Sequence, residues 1–250
     1  MDSVAEWPEF LRNNGQLKDR YFAIKKVRGG NSDLPPVIFS SGFGSPRQHV
    51  KGNKWHGWKR IITQRFPDNP VYRVYWNTKH APSRNLVKFL KHPRTINEWN
   101  QAKAFAHKAG EALAGLIAAT PDQTFILIGH SLGGRVMLET AIELATNEQS
   151  RGRRIAEIHL LGAAFRRIPQ AKMACTSVHG KIYNYHSKRD KVLAGPYRLS
   201  YSTTSGSRNA IGLKGAPFQN KKWKDIDVTK KVGADHSAYK KKIKLKNSID

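Results

Sequence analysis

The chain has little of what secreted and membrane-embedded proteins depend on. Cys175 is the single cysteine among 250 residues, so no disulfide can form within the chain, and we expect it to be a small buried hydrophobic residue. No apolar run reaches the roughly 18 residues of a membrane span. The first ten residues, MDSVAEWPEF, lack the apolar centre of a secretory signal. We expect a protein that is cytoplasmic or peripheral at a membrane surface, unless a signal-independent route exports it.

Acidic residues are scarce. The chain has 18 Asp and Glu against 44 Lys and Arg, a formal net charge of +26, and the basic residues occur along its whole length. Such a shell favours anionic partners: an acidic membrane surface, a nucleic acid or an acidic protein. A generally basic proteome or a requirement for solubility would give the same composition. No nucleic-acid-binding motif accompanies the charge, so we favour the membrane surface.

Internal repeats and low-complexity linkers are also missing, and the length fits a single α/β domain over residues 1–250. Residues 1–33 are an N-terminal extension of unclear role. Residues 77–97 are a candidate cap segment because the apolar residues of NLVKFLKHP alternate with lysines, although an ordinary surface helix has the same pattern. Apolar runs predict strands at 21–27, 37–39, 71–76, 125–128, 155–165, 181–187 and 224–229, and helices at 54–66, 98–119, 132–145 and 168–177.

The most informative stretch is residues 125–136, FILIGHSLGGRV. An unbroken apolar run, typical of a strand buried on both faces, leads directly into a helical pattern. Ser131 lies at the corner in a G-x-S-x-G motif, where a tight turn can expose its hydroxyl as a nucleophile. The alternative is an ordinary glycine-rich turn whose serine caps the helix.

A second glycine turn follows the strand at residues 37–39. A strand that ends in Gly42-Phe43-Gly44 can direct backbone N–H groups at one point. Serine hydrolases of this layout take one oxyanion donor from such a loop and the other from the residue after the nucleophile. The candidate donors are therefore Phe43 and Leu132, with a plain turn as the alternative.

A serine nucleophile needs a histidine base and a carboxylate that orients the base. In this layout the acid follows a strand beyond the nucleophile, and the histidine follows the final strand. Asp190 directly follows the strand predicted at 181–187, and His236 is the one histidine beyond such an acid. The order predicts Ser131, Asp190 and His236 as a catalytic triad.

Rival residues stay open at this point. Asp235 adjoins His236 and could replace Asp190, although sequence neighbours seldom point toward each other. His159 and His186 lie within predicted strands and are expected in the core. A core role is also the alternative for His236.

Four segments carry a resemblance to a known family: GHSLGGRV, LLGAAF, NYHSKRDKVL and GADHSAY. Together they resemble the lipase-type α/β-hydrolases over most of residues 34–240. Within that superfamily the chain is most similar to a sparsely characterised group of predicted hydrolases that includes transmembrane and coiled-coil domain proteins.

The resemblance implies an α/β-hydrolase fold, with a mostly parallel central sheet and helices on both faces. It also implies a triad of Ser131, Asp190 and His236 and an ester-type substrate. We therefore expect a serine carboxylic-ester hydrolase, a lipase, phospholipase or esterase, that forms an acyl-enzyme without a metal or other cofactor. A related hypothesis is that the same serine carries out other acyl chemistry, such as thioester hydrolysis or acyl transfer. The alternative from another class is a catalytically silent hydrolase fold that binds nucleic acid or another polyanion.

Overall fold

The predicted strands form one seven-stranded sheet. The computed structural model describes residues 22–43, 55, 57–76, 93–120, 123–146, 154–201 and 207–247. The sheet order is β1-β3-β2-β4-β5-β6-β7. Strand β1 pairs antiparallel with β3, and every other pair is parallel. The strands are β1 (Phe22–Arg28), β2 (Val37–Ser40), β3 (Val71–Trp76), β4 (Phe125–His130), β5 (Ile155–Leu161), β6 (Ile182–His186) and β7 (Trp223–Asp227).

Helices cover both faces of this sheet. The longer ones are α1 (Lys59–Arg65), α2 (Pro93–Ala118) and α3 (Leu132–Thr146), and a 3₁₀ helix spans Pro169–Thr176. Single turns follow at α4 (Lys191–Ala194), α5 (Pro196–Leu199), α6 (Ile211–Lys214), α7 (Thr229–Val232) and α8 (Tyr239–Lys242). In the described part of the chain, none of the helices combines the length and apolarity needed to cross a bilayer.

Two hydrophobic clusters show which helix packs on which face. Successive residues of β4 alternate between them: Leu127 packs in the cluster that contains Val136 of α3, and Ile128 packs in the cluster that contains Ile61 of α1. Alternation of this kind is what a strand covered on both faces produces. The predicted fold class, an α/β-hydrolase fold with a mostly parallel sheet and helices on both faces, is confirmed.

Element boundaries differ from the predictions in a few places. Helix α2 begins at Pro93, so the last residues of the candidate cap segment are helical; residues 77–92 lie outside the described residues. Proline suits the start of a helix because the first turn leaves its N–H positions unpaired. Of the N-terminal extension, residues 22–28 form β1 as predicted, and residues 1–21 are outside the described part. Cys175 is buried, as predicted.

The turn from β4 into α3 leaves no room for side chains. A Cβ on Gly129 would lie 2.4 Å from the carbonyl oxygen of Gly133, and a Cβ on Gly133 would lie 2.3 Å from the carbonyl oxygen of Ser40 in β2. Both neighbours are backbone atoms held in regular structure. Glycine at these positions lets the helix pack directly against β2 and against its own strand.

We predict opposite effects for two alanine substitutions in helices. In Gly133→Ala the clash with β2 should outweigh the roughly 1 kcal/mol gain in helix propensity, because overpacking costs about 1–3 kcal/mol even where neighbours can shift. Gly115→Ala is the matched control: this exposed position of α2 has no atom within 4 Å of the new Cβ. The free energy of unfolding in urea should fall for Gly133→Ala and rise by up to about 1 kcal/mol for Gly115→Ala. Equal stability of Gly133→Ala and the wild type would contradict the close packing.

Candidate active site

Ser131 stands between β4 and α3 in a strained backbone conformation. Its φ of 58° is the one positive φ at a non-glycine residue among the described residues. This left-handed conformation is unfavourable for any residue that has a Cβ. Backbone hydrogen bonds hold it there: its N–H donates to Leu161 (3.1 Å), and its carbonyl accepts from Gly134 (3.0 Å) and Ala164 (2.9 Å). The sheet and the helix thus fix the tight turn that a serine nucleophile requires.

The loop after β2 lies against the Ser131 side chain. A Cβ built on Gly42 would be 2.5 Å from Cβ and 2.9 Å from Oγ of Ser131. The next residue, Phe43, packs its ring edge-on against Trp99 of α2, with centroids 5.1 Å apart. Leu132 is the first residue of α3, so its N–H has no acceptor within the helix. The segments of both predicted oxyanion donors therefore border Ser131, and the donor roles themselves stay predictions.

His236 and Asp190 form a buried pair. Nδ1 of His236 lies 2.6 Å from Oδ2 of Asp190, whose side chain is 0% exposed. The other carboxylate oxygen, Oδ1, accepts hydrogen bonds from the N–H groups of Val192 and Leu193, both at 3.0 Å, and so caps α4. The carboxylate is consequently held from both sides while it orients the imidazole.

The second ring nitrogen of His236, Nε2, is buried and has no hydrogen-bond partner among the described residues. With its Nδ1 proton donated to Asp190, the neutral ring carries its lone pair on Nε2. This is the tautomer in which a histidine can accept a proton from a serine.

The carboxylate of Asp235, the alternative acid, bonds to Ser237 and not to His236. Its Oδ1 accepts from the N–H (2.8 Å) and the hydroxyl (2.7 Å) of Ser237, and hydrogen bonding to the Ser237 side chain holds the pKa of Asp235 below its usual value. The Asp235 side chain is exposed and belongs to a local turn. The structure therefore pairs His236 with Asp190 rather than with its sequence neighbour.

The two strand histidines lie in the core. His159 is fully buried and stacks on Tyr183, with centroids 5.0 Å apart. His186 is also buried. Burial lowers the pKa of both imidazoles, which favours their neutral forms.

Two residues that the sequence reasoning did not single out contact the pair. His130 Nε2 lies 2.7 Å from the carbonyl oxygen of His236, and the two rings are 4.8 Å apart. The hydroxyl of Tyr239 donates to Oδ2 of Asp190 at 3.4 Å, and Tyr239 is fully buried. Burial, followed by the Asp190 charge, raises the pKa of Tyr239 far above its usual value, so it remains a donor. The sequence offered one indication of their role, because His130 and Tyr239 each lie in the same short motif as a triad candidate.

No cluster of three or more His, Cys, Asp or Glu side chains that could hold a metal ion occurs among the residues described.

Comparison with known proteins gives a family and several distant relatives. The model of a family described as "Protein of unknown function (DUF726)" matches residues 87–247. The "Uncharacterized membrane protein C6F6.13c" of Schizosaccharomyces pombe is 25% identical over 218 residues, 86% of this chain and 33% of that protein. The "Transmembrane and coiled-coil domain-containing protein STS1" of rice is 24% identical, covering 92% of this chain and 38% of that protein. The chain thus spans about a third of the length of these curated relatives.

Among solved structures, the chain is similar to a predicted CIB-like hydrolase from Thermoplasma acidophilum, at a TM-score of 0.44 and 13% identity, over 87% of this chain and 84% of that one. The predicted resemblance to the group that includes transmembrane and coiled-coil domain proteins is confirmed. Because the family model covers well over half of its residues, the chain belongs to the DUF726 family of proteins of unknown function.

Proposed function

We propose that the protein is a serine hydrolase that cleaves carboxylic esters through an acyl-enzyme on Ser131. The observation that carries the proposal is the position of His236. Its ring and its carbonyl contact His130, the residue directly before Ser131, while its Nδ1 is held by Asp190. These contacts support the proposal because they hold the candidate base and acid beside the residue that precedes the strained serine.

The geometry supports the following sequence of steps. Oγ of Ser131 attacks the ester carbonyl as its proton passes to Nε2 of His236, and Asp190 stabilises the imidazolium. The backbone N–H groups of Leu132 and Phe43 donate to the oxyanion. His236 then protonates the departing alcohol, and a water molecule activated by the same imidazole hydrolyses the acyl-serine. The cycle needs no metal or other cofactor.

In this mechanism His130 and Tyr239 are positioning residues. His130 fixes the backbone of the loop that carries His236. The hydroxyl of Tyr239 donates a hydrogen bond to the Asp190 carboxylate, in addition to the bonds from His236 and from the backbone. Neither touches the reacting atoms. Their effect is to keep the imidazole within the narrow range of positions from which proton transfer to and from Ser131 is fast.

Lipid esters at an anionic membrane surface are the substrates we favour. The net charge of +26 attracts acidic headgroups. Leu199, on the single turn α5, has 65% of its surface exposed, where an apolar side chain could contact acyl chains. The names of the yeast and rice relatives place those proteins in membranes, which agrees with a substrate drawn from a bilayer.

We predict that a fluorophosphonate probe labels the wild-type protein and that Ser131→Ala abolishes the labelling. Ser131→Ala and His236→Ala should each reduce turnover of a short-chain nitrophenyl ester by about 10⁶, and Asp190→Asn by about 10⁴. Asp235→Asn is the matched control and should keep wild-type turnover. Loss of activity in Asp235→Asn with retention in Asp190→Asn would show that the acid is assigned wrongly. Absence of labelling, together with salt-sensitive binding of nucleic acid, would instead support the catalytically silent alternative.

Tyr239→Phe, which removes the hydroxyl, should lower kcat by about tenfold with little change in KM, because one hydrogen bond to a charged group is lost. Tyr183→Phe is the control because the Tyr183 hydroxyl bonds to the carbonyl of Asn247, away from the pair. Both variants should unfold at similar urea concentrations. A fall in kcat of equal size in both variants would mean that the Tyr239 hydroxyl serves stability alone.

Binding to vesicles that contain acidic lipid should fall steeply as salt rises, because the Debye length shrinks from about 10 Å at 0.1 M to about 3 Å at 1 M. Turnover of a soluble short ester should change far less. Co-sedimentation of the wild type and of Ser131→Ala across one salt series measures the binding, with neutral vesicles as the control. Equal binding to neutral and acidic vesicles, or none to either, would rule out the membrane-surface role of the charge.

A further inference from the structure

Three cationic side chains converge beside the start of α3, and we refer to Lys103, Arg135 and Arg166 as the cationic cluster. Lys103 is 9% exposed, and its Nζ donates to the carbonyl and the hydroxyl of Ser200, both at 3.1 Å. Nζ of Lys103 also lies 3.8 Å from the ring centroid of Tyr201, and Cζ of Arg166 lies 5.4 Å from the same centroid. Two cations thus share one aromatic ring.

The position of Lys103 follows from how α2 packs on α3. Both helices connect parallel strands, so they run in the same direction, and Gly110 of α2 packs against Val136 and Glu139 of α3. Lys103 precedes Gly110 by about two turns, or roughly 10 Å at 1.5 Å per residue. This places Lys103 level with the beginning of α3, where Ser131 lies.

The two arginines are tied to the same turn. The backbone N–H of Arg135 approaches the carbonyl oxygen of Ser131 at 3.4 Å, and that oxygen also accepts from Ala164, two residues before Arg166. The cationic cluster therefore adjoins the turn that carries the proposed nucleophile. Solvent reaches part of the cluster, since the Arg135 side chain is 20% exposed and Arg166 is partly exposed.

The charges of the cluster are not balanced within the described part of the chain. Arg135 pairs with Glu139 at 3.0 Å, and that carboxylate also contacts His107 at 3.2 Å. The ion pairs of the described residues supply no carboxylate to Lys103 or Arg166. Burial, with smaller contributions from Arg135 and Arg166, lowers the pKa of Lys103 to about 8. A buried lysine surrounded by like charges is costly, and a bound anion would offset that cost.

We propose that the cationic cluster binds a phosphate group carried by the ester substrate. The inference rests on the proposed function because it assigns the chemistry of the molecule that Ser131 attacks. Two guanidinium groups and an ammonium group match the several oxygens of a phosphate, to which arginine can donate paired hydrogen bonds. The substrate class is thus a carboxylic ester whose alcohol portion bears a phosphate, either as a lipid headgroup or as a soluble phosphate ester.

Direct binding tests the site without relying on turnover. Isothermal titration of the full chain with inorganic phosphate at fixed ionic strength should show binding that Arg166→Gln weakens by about tenfold or more, the loss of one charge-assisted contact. Lys103→Met should have the same effect. Arg198→Gln, which removes an exposed charge on α5, is the matched control and should bind as the wild type does. Circular dichroism of each variant excludes loss of folding. Absence of phosphate binding, or equal weakening by Arg166→Gln and Arg198→Gln, would overturn the proposal.

Turnover measurements distinguish a phosphate on a lipid headgroup from a phosphate on a soluble ester. The ratio of kcat/KM for dibutyryl glycerophosphate to that for dibutyrylglycerol should fall about tenfold or more in Arg166→Gln and keep its wild-type value in Arg198→Gln. A fall with these soluble esters shows that the phosphate alone is recognised. A fall confined to long-chain phosphatidate in vesicles, against neutral diacylglycerol in the same vesicles, assigns the site to a lipid headgroup, and no fall in either arm overturns the proposal. If the wild type binds phosphate through the cluster but is not labelled by the fluorophosphonate probe and hydrolyses none of these esters, the hydrolase function fails and the anion site stands.

Discussion

The backbone conformation of Ser131 is the constraint on which the rest of the site depends. A residue with a Cβ at positive φ costs of order 1–3 kcal/mol, so the conformation persists only because its surroundings impose it. The N–H and carbonyl of Ser131 are fixed by β5 and by the first turn of α3. The glycines on either side permit this arrangement, since a side chain at Gly129 or Gly133 would collide with the backbone it packs against.

Parallel strands bring the remaining groups to the same edge of the sheet. Ser131 directly follows β4, Asp190 follows β6 by a few residues and His236 follows β7 after the turn α7, so all three lie beyond the carboxyl ends of strands. In open α/β sheets that edge is where ligands bind. At this edge Asp190 caps α4 while it also holds His236. One carboxylate therefore stabilises a local turn and orients a distant imidazole.

Much of this could be predicted from the sequence because it depends on short-range patterns. The unbroken apolar run before Ser131 and the helical spacing after it are properties of residues 125–146 alone. The choice of Asp190 over Asp235 rested on chain order, and the reason behind it, that Ser237 occupies the Asp235 carboxylate, requires coordinates.

Contacts between distant segments were not predictable. Lys103 and Arg166 lie far apart in the chain and meet at the ring of Tyr201, so no short sequence motif indicates the cationic cluster. The start of α2 at Pro93 was missed for a local reason, because the lysines interleaved with apolar residues in the preceding segment gave no sign of where the helix begins. The contacts of His130 and Tyr239 with the pair likewise depend on how the loop after β7 docks.

His236 follows β7, more than a hundred residues after Ser131 by its numbering, so under the proposed mechanism the nucleophile is synthesised well before its base. As the polypeptide is synthesised, the strands up to β5 can already form the Ser131 turn, yet that turn has no base. The imidazole becomes available only when β7 is paired with β6 and the following loop has docked on His130. Under the proposed mechanism, a chain synthesised only as far as β5 carries an unactivated serine, and docking of the loop after β7 on His130 supplies the imidazole that activates it.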